Sequence, residues 1–248
     1  MKKSDLTKTI IFTSIIGLVL LIIGLTTRDF DYAKKVYQIY LNGHKLGLIE
    51  SRDELYALIN EEQKEIKETY NVDNVYPPNG FVINEYNTYD NNITTAKEIY
   101  ETIKDKDDFT IEGYIVKIKF NEEDKEDLTI YVLDENVFKI ALTNVVTAFV
   151  NREDFYAYIN NEQDPIDEVG QIIEDMYFEE TITIKPSYIS VNEKIYTDAT
   201  TLTQYLLFGS KNKKENYIVK QGDTIASISN EKHLNTQEFL IANPKYKN

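Results

Sequence analysis

The chain has 248 residues, with 27 Lys and Arg against 42 Asp and Glu, so its formal net charge is −15. Proteins bind phosphate backbones largely through Lys and Arg, so this acidic balance excludes nucleic acid as an expected partner. The chain has no Cys and only two His, which excludes disulfides and thiolate metal sites and leaves no histidine cluster for a metal. We therefore expect no cofactor.

An uncharged apolar run, TIIFTSIIGLVLLIIGLTT, occupies residues 9–27. At about 1.5 Å per helical residue it roughly matches the ~30 Å thickness of membrane hydrocarbon. Lys2, Lys3 and Lys8 precede it, and the positive-inside rule then predicts a cytoplasmic N-terminus. A cleaved signal peptide is the alternative, but no A-x-A-like site ends the run. We expect residues 1–28 to be a single-pass anchor in the cell membrane, with the bulk of the chain extracellular.

The chain aligns with itself at an offset of 100 residues. SRDELYALINEEQKEIKE (51–68) matches NREDFYAYINNEQDPIDE (151–168) at nine of eighteen positions, where chance at about 6% per position gives about one. Further on, TTAKEIYETI (94–103) resembles ATTLTQYLL (199–207), where Ile99 and Ile103 correspond to Leu202 and Leu206 and the register has slipped by three residues. The pattern predicts two tandem, similar α+β units, over 29–120 and 121–210.

The repeated segments are predicted helices that begin at Ser51 and Asn151, both capping residues. Each carries a one-sided apolar stripe, which predicts that Ile59 and Ile159 are both buried. The stripes are Leu55, Leu58, Ile59 and Ile66 in one helix and Phe155, Tyr158, Ile159 and Ile166 in the other. An acid and amide pair also recurs, as Glu62 with Gln63 and as Glu162 with Gln163. It could be catalytic, but repeated polar residues favour a solvated helix face.

Alternating runs rich in Ile, Val, Tyr and Thr predict strands around these helices. Residues 37–50 are predicted to form a hairpin about Asn42-Gly43, with His44 an exposed side chain after the turn. Further strands are predicted at 81–83, 109–120, 128–133 and 181–190, and a short helix running into a strand at 137–150. The acidic runs 105–108 and 121–128 raise the question of calcium, but DKDDFTIEG at 105–113 has neither the glycine nor the glutamate of an EF-hand loop in register. Solvated turns are therefore favoured for both runs. The fold class is α+β.

A polar linker, 209–216, leads to YIVKQGDTIASISNEKHLNTQEFLIANP at 217–244. A strand is predicted at 217–219, followed by a turn at Gln221-Gly222. Asp223 is predicted to cap one helix and Asn235 a second, which stops at Asn243-Pro244.

This order resembles a LysM module. The family's opening, Y-x-V-x-x-G-D-T-hydrophobic-x-x-I-A, departs only at Ser229, where a small Ala is usual. The positions that match the opening and the later N-P pair are Tyr217, Val219, Gly222, Asp223, Thr224, Ile225, Ile228, Asn243 and Pro244.

The resemblance implies binding to polymers of N-acetylglucosamine, such as peptidoglycan or chitin, in a groove between two loops. Its walls would be Gly222, Asp223, Thr224 and Ile225 on one side, and Ala242, Asn243 and Pro244 on the other. The family's closing strand is not found before Asn248, so residues 217–248 are expected to form an incomplete βαα module, with the strand 217–219 unpaired and the module only marginally ordered.

The whole arrangement also resembles the N-terminal part of membrane-anchored bacterial M23-type (lysostaphin-like) peptidoglycan peptidases. Their catalytic domain holds zinc with H-x-x-x-D and H-x-H motifs, and neither motif occurs in this chain. We therefore expect a non-enzymatic, membrane-anchored, outward-facing protein that binds the cell wall, while the repeats space the module or recruit an unknown protein partner. Two alternatives remain: the front of a truncated or split M23-type peptidase, and a complex-assembly ectodomain with an inert LysM.

Overall fold

The computed structural model describes residues 3–26, 32–122, 125–166, 169–209 and 215–246. Within these ranges the chain is α+β, as the sequence predicts. The helices are α1 (Lys3–Thr26), α2 (Arg52–Tyr70), α3 (Ala96–Lys106), α4 (Glu135–Val146), α5 (Arg152–Ile159), α6 (Ala199–Phe208), α7 (Ile225–Glu231), α8 (Thr236–Ala242) and a final 3-10 turn (Pro244–Tyr246). The strands are β1 (Lys34–Leu41), β2 (His44–Ile49), β3 (Phe81–Thr88), β4 (Thr110–Lys119), β5 (Leu128–Val132), β6 (Thr181–Ser190) and β7 (Ile195–Tyr196).

The predicted membrane anchor at residues 1–28 is contradicted. None of the helices in the described ranges combines the length and the apolar character needed to cross a membrane. The single-pass localisation is wrong on the same finding, and residues 1, 2, 27 and 28 of the prediction lie outside the described ranges.

The chain divides into two compact units. The first comprises Met1–Leu58 with Asn79–Thr102, and the second comprises Ile59–Pro78 with Ile103–Asn248.

The first unit contains a three-stranded antiparallel sheet in the order β2-β1-β3. The predicted hairpin is confirmed: Asn42 and Gly43 both have positive φ, 51° and 78°, as a type I′ turn requires. His44 is exposed directly after this turn. The apolar residues that are fully buried in this unit are Val36, Ile39, Ile49, Leu55 and Ile99.

The second unit contains a four-stranded sheet in the order β6-β4-β5-β7. Its strands are antiparallel except for the β5–β7 pair. Apolar side chains from β4, β5, α4 and α6 form one core cluster, which includes Val116, Ile130, Val132, Phe138 and Leu202. Helices α4 and α6 therefore cover one face of this sheet.

The two sheets repeat one strand order. Each sheet contains a hairpin, β1–β2 or β4–β5, whose first strand is central. The other edge of that central strand pairs with the strand that follows the next helical segment, giving β2-β1-β3 and β5-β4-β6. Strand β4 belongs to the second sheet, although the sequence-based division at residue 120 places it with the first unit. The second unit differs by one added helix: β2 leads directly to α2, whereas α4 lies between β5 and α5.

The second repeated helix is much shorter than predicted. Ser51 caps α2, accepting a hydrogen bond from the Glu54 N–H at 3.2 Å, and α2 continues to Tyr70. Asn151 caps α5 in the same way, but α5 ends at Ile159 and Asn161 has a φ of 57°.

The sequence difference that stops α5 lies a few residues further on. Lys64-Glu65 of α2 is replaced by Asp164-Pro165, and a residue before proline avoids the helical conformation. The predicted helical residues 167 and 168 lie outside the described ranges.

The prediction that one apolar side of each repeated helix is buried therefore holds for α2 and fails for most of α5. Ile59 is 6% exposed, but Ile159 is 49% exposed, so the prediction that both are buried is wrong. The early end of α5 is the physical reason, because the segment lacks the turns that carry the rest of the stripe. Only Phe155 of its apolar residues is buried.

The recurring glutamines have a structural role that the sequence did not predict. The Gln63 side chain donates to the carbonyl of Val75 at 2.7 Å. At the equivalent position, the Gln163 amide donates to the carbonyl of Ile173 at 2.9 Å and accepts from its N–H at 2.8 Å. Both glutamines are half-buried, so the prediction of a fully solvated face is wrong for them. Each one holds the backbone of the segment that leads to the next strand.

Two further predictions need correction. The segment 137–150 contains α4 followed by turns, and no strand forms there. The acidic run 105–108 is more than a solvated turn, because Asp108 accepts hydrogen bonds of 2.5 Å from the Ser190 hydroxyl and the Asn192 amide. These bonds fix the turn that precedes β4 against the end of β6.

Truncation of the two equivalent isoleucines should give very different results. We expect Ile59→Ala to lower the free energy of unfolding by about 2 to 5 kcal/mol, because it leaves a cavity in a packed region. Ile159→Ala should change it by less than about 0.5 kcal/mol, because its side chain already contacts solvent. Urea unfolding monitored by circular dichroism measures both, and equal losses would contradict the structural difference between α2 and α5.

The Tyr76 hydroxyl should make stability depend on pH in the alkaline range. It donates to a Glu112 carboxylate oxygen at 2.5 Å, and this bond, with smaller contributions from burial and the Glu112 charge, raises the pKa of Tyr76 from 10.0 to about 12. The folded state then holds a proton that the unfolded chain releases, so stability falls between about pH 10 and pH 12. Urea midpoints across this range should fall more steeply for the wild type than for Tyr76→Phe. Parallel curves would show that the bond does not form.

Candidate functional site

The loop predicted to form the first groove wall is closed by reciprocal hydrogen bonds. The Asp223 carboxylate accepts from the Lys220 N–H at 2.7 Å, and the Asp223 N–H donates to the Lys220 carbonyl at 3.1 Å. Gly222 has a φ of 95°, a conformation that L residues with a side chain rarely adopt. The Gly-Asp pair of the motif therefore has a specific local purpose, which is to build this turn.

Tyr217, the first residue of the motif, is bonded to the same loop. Its hydroxyl donates to the Asp223 carboxylate at 3.1 Å and lies 3.4 Å from a carboxylate oxygen of Glu231. Burial and the bond to Asp223 raise the pKa of Tyr217 above its usual value. Lys220 and Lys232 lie over its ring, 5.9 and 5.8 Å from the centroid. The ring thus joins the start of the module to its loop and to the end of α7.

The first helix of the module is capped one residue later than predicted. Thr224, rather than Asp223, is the N-cap of α7, and it forms a reciprocal capping box with Ser227. Asp223 lies one residue before the cap, and its carboxylate accepts from the Lys220 N–H and the Tyr217 hydroxyl within the loop. The Ser229 hydroxyl, at the position where the family favours Ala, is buried and donates to the Ile225 carbonyl at 2.7 Å. The departure from the motif is therefore accommodated without an unpaired polar group.

The second predicted wall follows α8. Asn235 caps this helix in a capping box with Glu238, as predicted. At its other end, both the backbone and the side-chain N–H groups of Asn243 donate to the Phe239 carbonyl, and Pro244 begins the 3-10 turn. Ala242 and Asn243 are half-buried and Pro244 is exposed.

The two predicted walls lie in different surroundings. Among the described residues, no hydrogen bond links 222–225 with 242–244. Pro244 lines a small cleft of about 50 Å³ with Thr200 and Thr203 of α6, and none of the residues 222–225 lines it.

The predicted strand at 217–219 does not form. In the described part of the chain no strand pairs with residues 217–219, and the side chains of Ile218 and Val219 are 83% and 67% exposed. The module within 215–246 is therefore a loop, two helices and a 3-10 turn.

Two amide side chains connect α8 to the rest of the second unit, and no pattern in the sequence indicates either contact. The Asn235 side chain donates to the Ala148 carbonyl at 3.0 Å, and the Gln204 side chain of α6 donates to the Ile241 carbonyl at 2.8 Å. Ile241 is 9% exposed. The module thus packs on other helices of its own unit instead of standing alone.

A larger cleft of about 750 Å³ lies beside α8. It is bounded by the corner between α4 and α5 and by the first turn of α8. In the described ranges, no group of three or more His, Asp or Glu side chains is arranged to hold a metal ion.

Comparison with known proteins gives one distant relative. No protein-family model matches the chain, and no solved structure matches it. A protein of Caldicellulosiruptor saccharolyticus described as "Uncharacterized protein in xynC 3'region" is 23% identical over 223 residues. The match covers 87% of this chain and 90% of that protein, so it includes residues of both units.

The double role of Asn235 can be tested by separating its cap from its contact with Ala148. Asn235→Ser keeps a capping oxygen but removes the amide donor, whereas Asn235→Ala removes both. We expect the serine variant to speed hydrogen exchange in α8, and the alanine variant to lose about 1 kcal/mol more stability through the lost cap. Wild-type exchange rates in both variants would show that Asn235 does not hold α8.

Proposed function

We propose that this protein binds polymers of N-acetylglucosamine through the segment 217–246. The observation that carries the proposal is the loop 220–224. Its Gly222 and Asp223 form a closed turn and its Thr224 caps α7, so the residues that match the LysM motif are held in a fixed conformation. A preformed site binds with less loss of conformational entropy than a flexible one.

The charge of the chain is compatible with such a ligand. The formal net charge of −15 would repel polyanions, but an uncharged glycan is not subject to that repulsion. Sugar recognition depends on a few well-placed polar groups and on apolar contact. Ile225, which is 38% exposed beside the capped end of α7, offers such an apolar surface.

In this proposal the second α+β unit is the support of the binding segment. The contacts of Asn235 and Gln204 with Ala148 and Ile241 hold α8. They supply backbone partners and packing that a short segment cannot supply alone.

The test is calorimetric titration of the purified chain with the hexasaccharide of N-acetylglucosamine. We expect binding, and we expect the double variant Asp223→Ala, Thr224→Ala to bind at least about tenfold more weakly, because it loses the turn and the cap of α7. The glucose hexasaccharide, which lacks the acetamido groups, should bind more weakly than the acetylated ligand.

Ser51→Ala is the matched control, because it also removes a helix cap but does so at α2. It should leave the affinity unchanged. Asp223→Asn retains a side-chain oxygen for the Lys220 N–H and should retain most of the binding. Wild-type affinity in the double variant would disprove the assignment to this loop, and absence of binding by the wild type would disprove the function.

A further inference from the structure

The cleft of about 750 Å³ is within the size range of small-molecule binding sites, and its lining is mostly polar. One wall is the corner that connects α4 to α5, residues 147–151, and the other is α8 with its cap Asn235. Phe149 lies at this corner and is 65% exposed. An aromatic ring displayed at a polar cleft provides a flat apolar surface, against which the C–H face of a sugar ring can pack.

Apart from Arg152 and Glu153, the polar groups that line the cleft with Phe149 are uncharged amides and hydroxyls. Those that line the cleft include Asn151, Thr236 and Gln237. The side-chain amide nitrogen of Asn151 and the side chains of Thr236 and Gln237 form no hydrogen bond within the described part of the chain. They are therefore able to donate to and accept from a ligand that carries both hydroxyl and amide groups.

The cleft is lined by one positive and one negative side chain, whose formal charges cancel. Arg152 and Glu153 are the charged residues among those that line it, so the lining has no net charge. This balance favours a neutral polar ligand over an anion or a cation.

The cleft is adjacent to the second wall of the proposed glycan site. Asn144, Leu240 and Ile241 line both this cleft and the small one that contains Pro244. The two clefts thus follow α8, from Pro244 near its C-terminal end to Phe149 beside its N-terminal end.

We infer that the cleft between the α4–α5 corner and α8 binds additional sugar units of an acetamido glycan, with Phe149 stacked on one ring. The ligand class rests on the proposed function. The site itself stands on the cleft, the exposed ring and a polar lining that carries no net charge. It extends the binding surface from the segment 217–246 onto the α4–α5 corner of the same unit.

The chain contains no Trp, which allows a direct optical test. Phe149→Trp places a single indole at the cleft, and titration with the N-acetylglucosamine hexasaccharide should shift and change its fluorescence as the sugar covers the ring. Tyr177→Trp is the matched control, because Tyr177 is 75% exposed and lines neither cleft. Its emission should not respond. No response from Trp at position 149, under conditions in which the hexasaccharide binds, would overturn the inference.

Calorimetry separates this site from the loop 220–224. Phe149→Leu keeps an apolar side chain but removes the flat ring, and it should weaken hexasaccharide binding about tenfold. Phe149→Tyr should retain wild-type affinity. Because the side chain is largely exposed, both variants should unfold at wild-type urea concentrations.

The two proposals fail in different ways. If the Asp223→Ala, Thr224→Ala variant loses binding and Phe149→Leu does not, the cleft inference is wrong and the proposed function stands. If only Phe149→Leu loses binding, the cleft inference stands and the loop assignment is wrong. A wild-type chain that does not bind the hexasaccharide overturns both.

Discussion

The candidate site depends on how the backbone of α8 is held. A seven-residue helix has little stability of its own in water, because most of its backbone groups lie within a turn of an end. Here the Asn235 amide donates to Ala148, the Gln204 amide donates to Ile241, and the Ile241 side chain is buried. These contacts substitute for the strand pairing that residues 217–219 lack. The module is therefore part of the second unit in its packing, although its sequence resembles a separate domain.

The sequence was most informative where local chemistry dictates local structure. The Asn42-Gly43 hairpin, the four strand positions and the Ser51, Asn151 and Asn235 caps follow from residues that favour one backbone conformation. The strand order follows less directly, because pairing brings together residues that are distant in the sequence. The placement of β4 at the centre of the second sheet shows this, since its neighbour β6 begins more than sixty residues later.

The predictions failed where identical or similar residues lie in different surroundings. The repeat of 51–68 at 151–168 led to the prediction of equal helices, yet the replacement of Lys64-Glu65 by Asp164-Pro165 leaves α5 with only eight residues. In the candidate site, the residues of the loop 220–224 were identified from the motif, but their hydrogen-bond partners were not. The cap of α7 is Thr224 and not Asp223, whose carboxylate instead accepts from the Lys220 N–H within the turn. Phe149 was missed altogether, because an exposed aromatic residue has no distinguishing pattern in a single sequence.

The asymmetry between the repeats explains why a cleft forms beside the second sheet. Strand β2 runs into α2 through Glu50 and Ser51 alone, and the chain there has no helix–helix corner. In the second unit α4 comes first and packs on the sheet through Phe138 and Ala141, so the equivalent of α2 begins only after the turn at 147–151. That turn carries Phe149 outward and exposes the Ala148 carbonyl to Asn235. The turn that follows the added helix α4 thus provides both the attachment point of α8, the Ala148 carbonyl, and the cleft wall that faces α8. The candidate cleft therefore arises from the difference between the two units and not from their similarity.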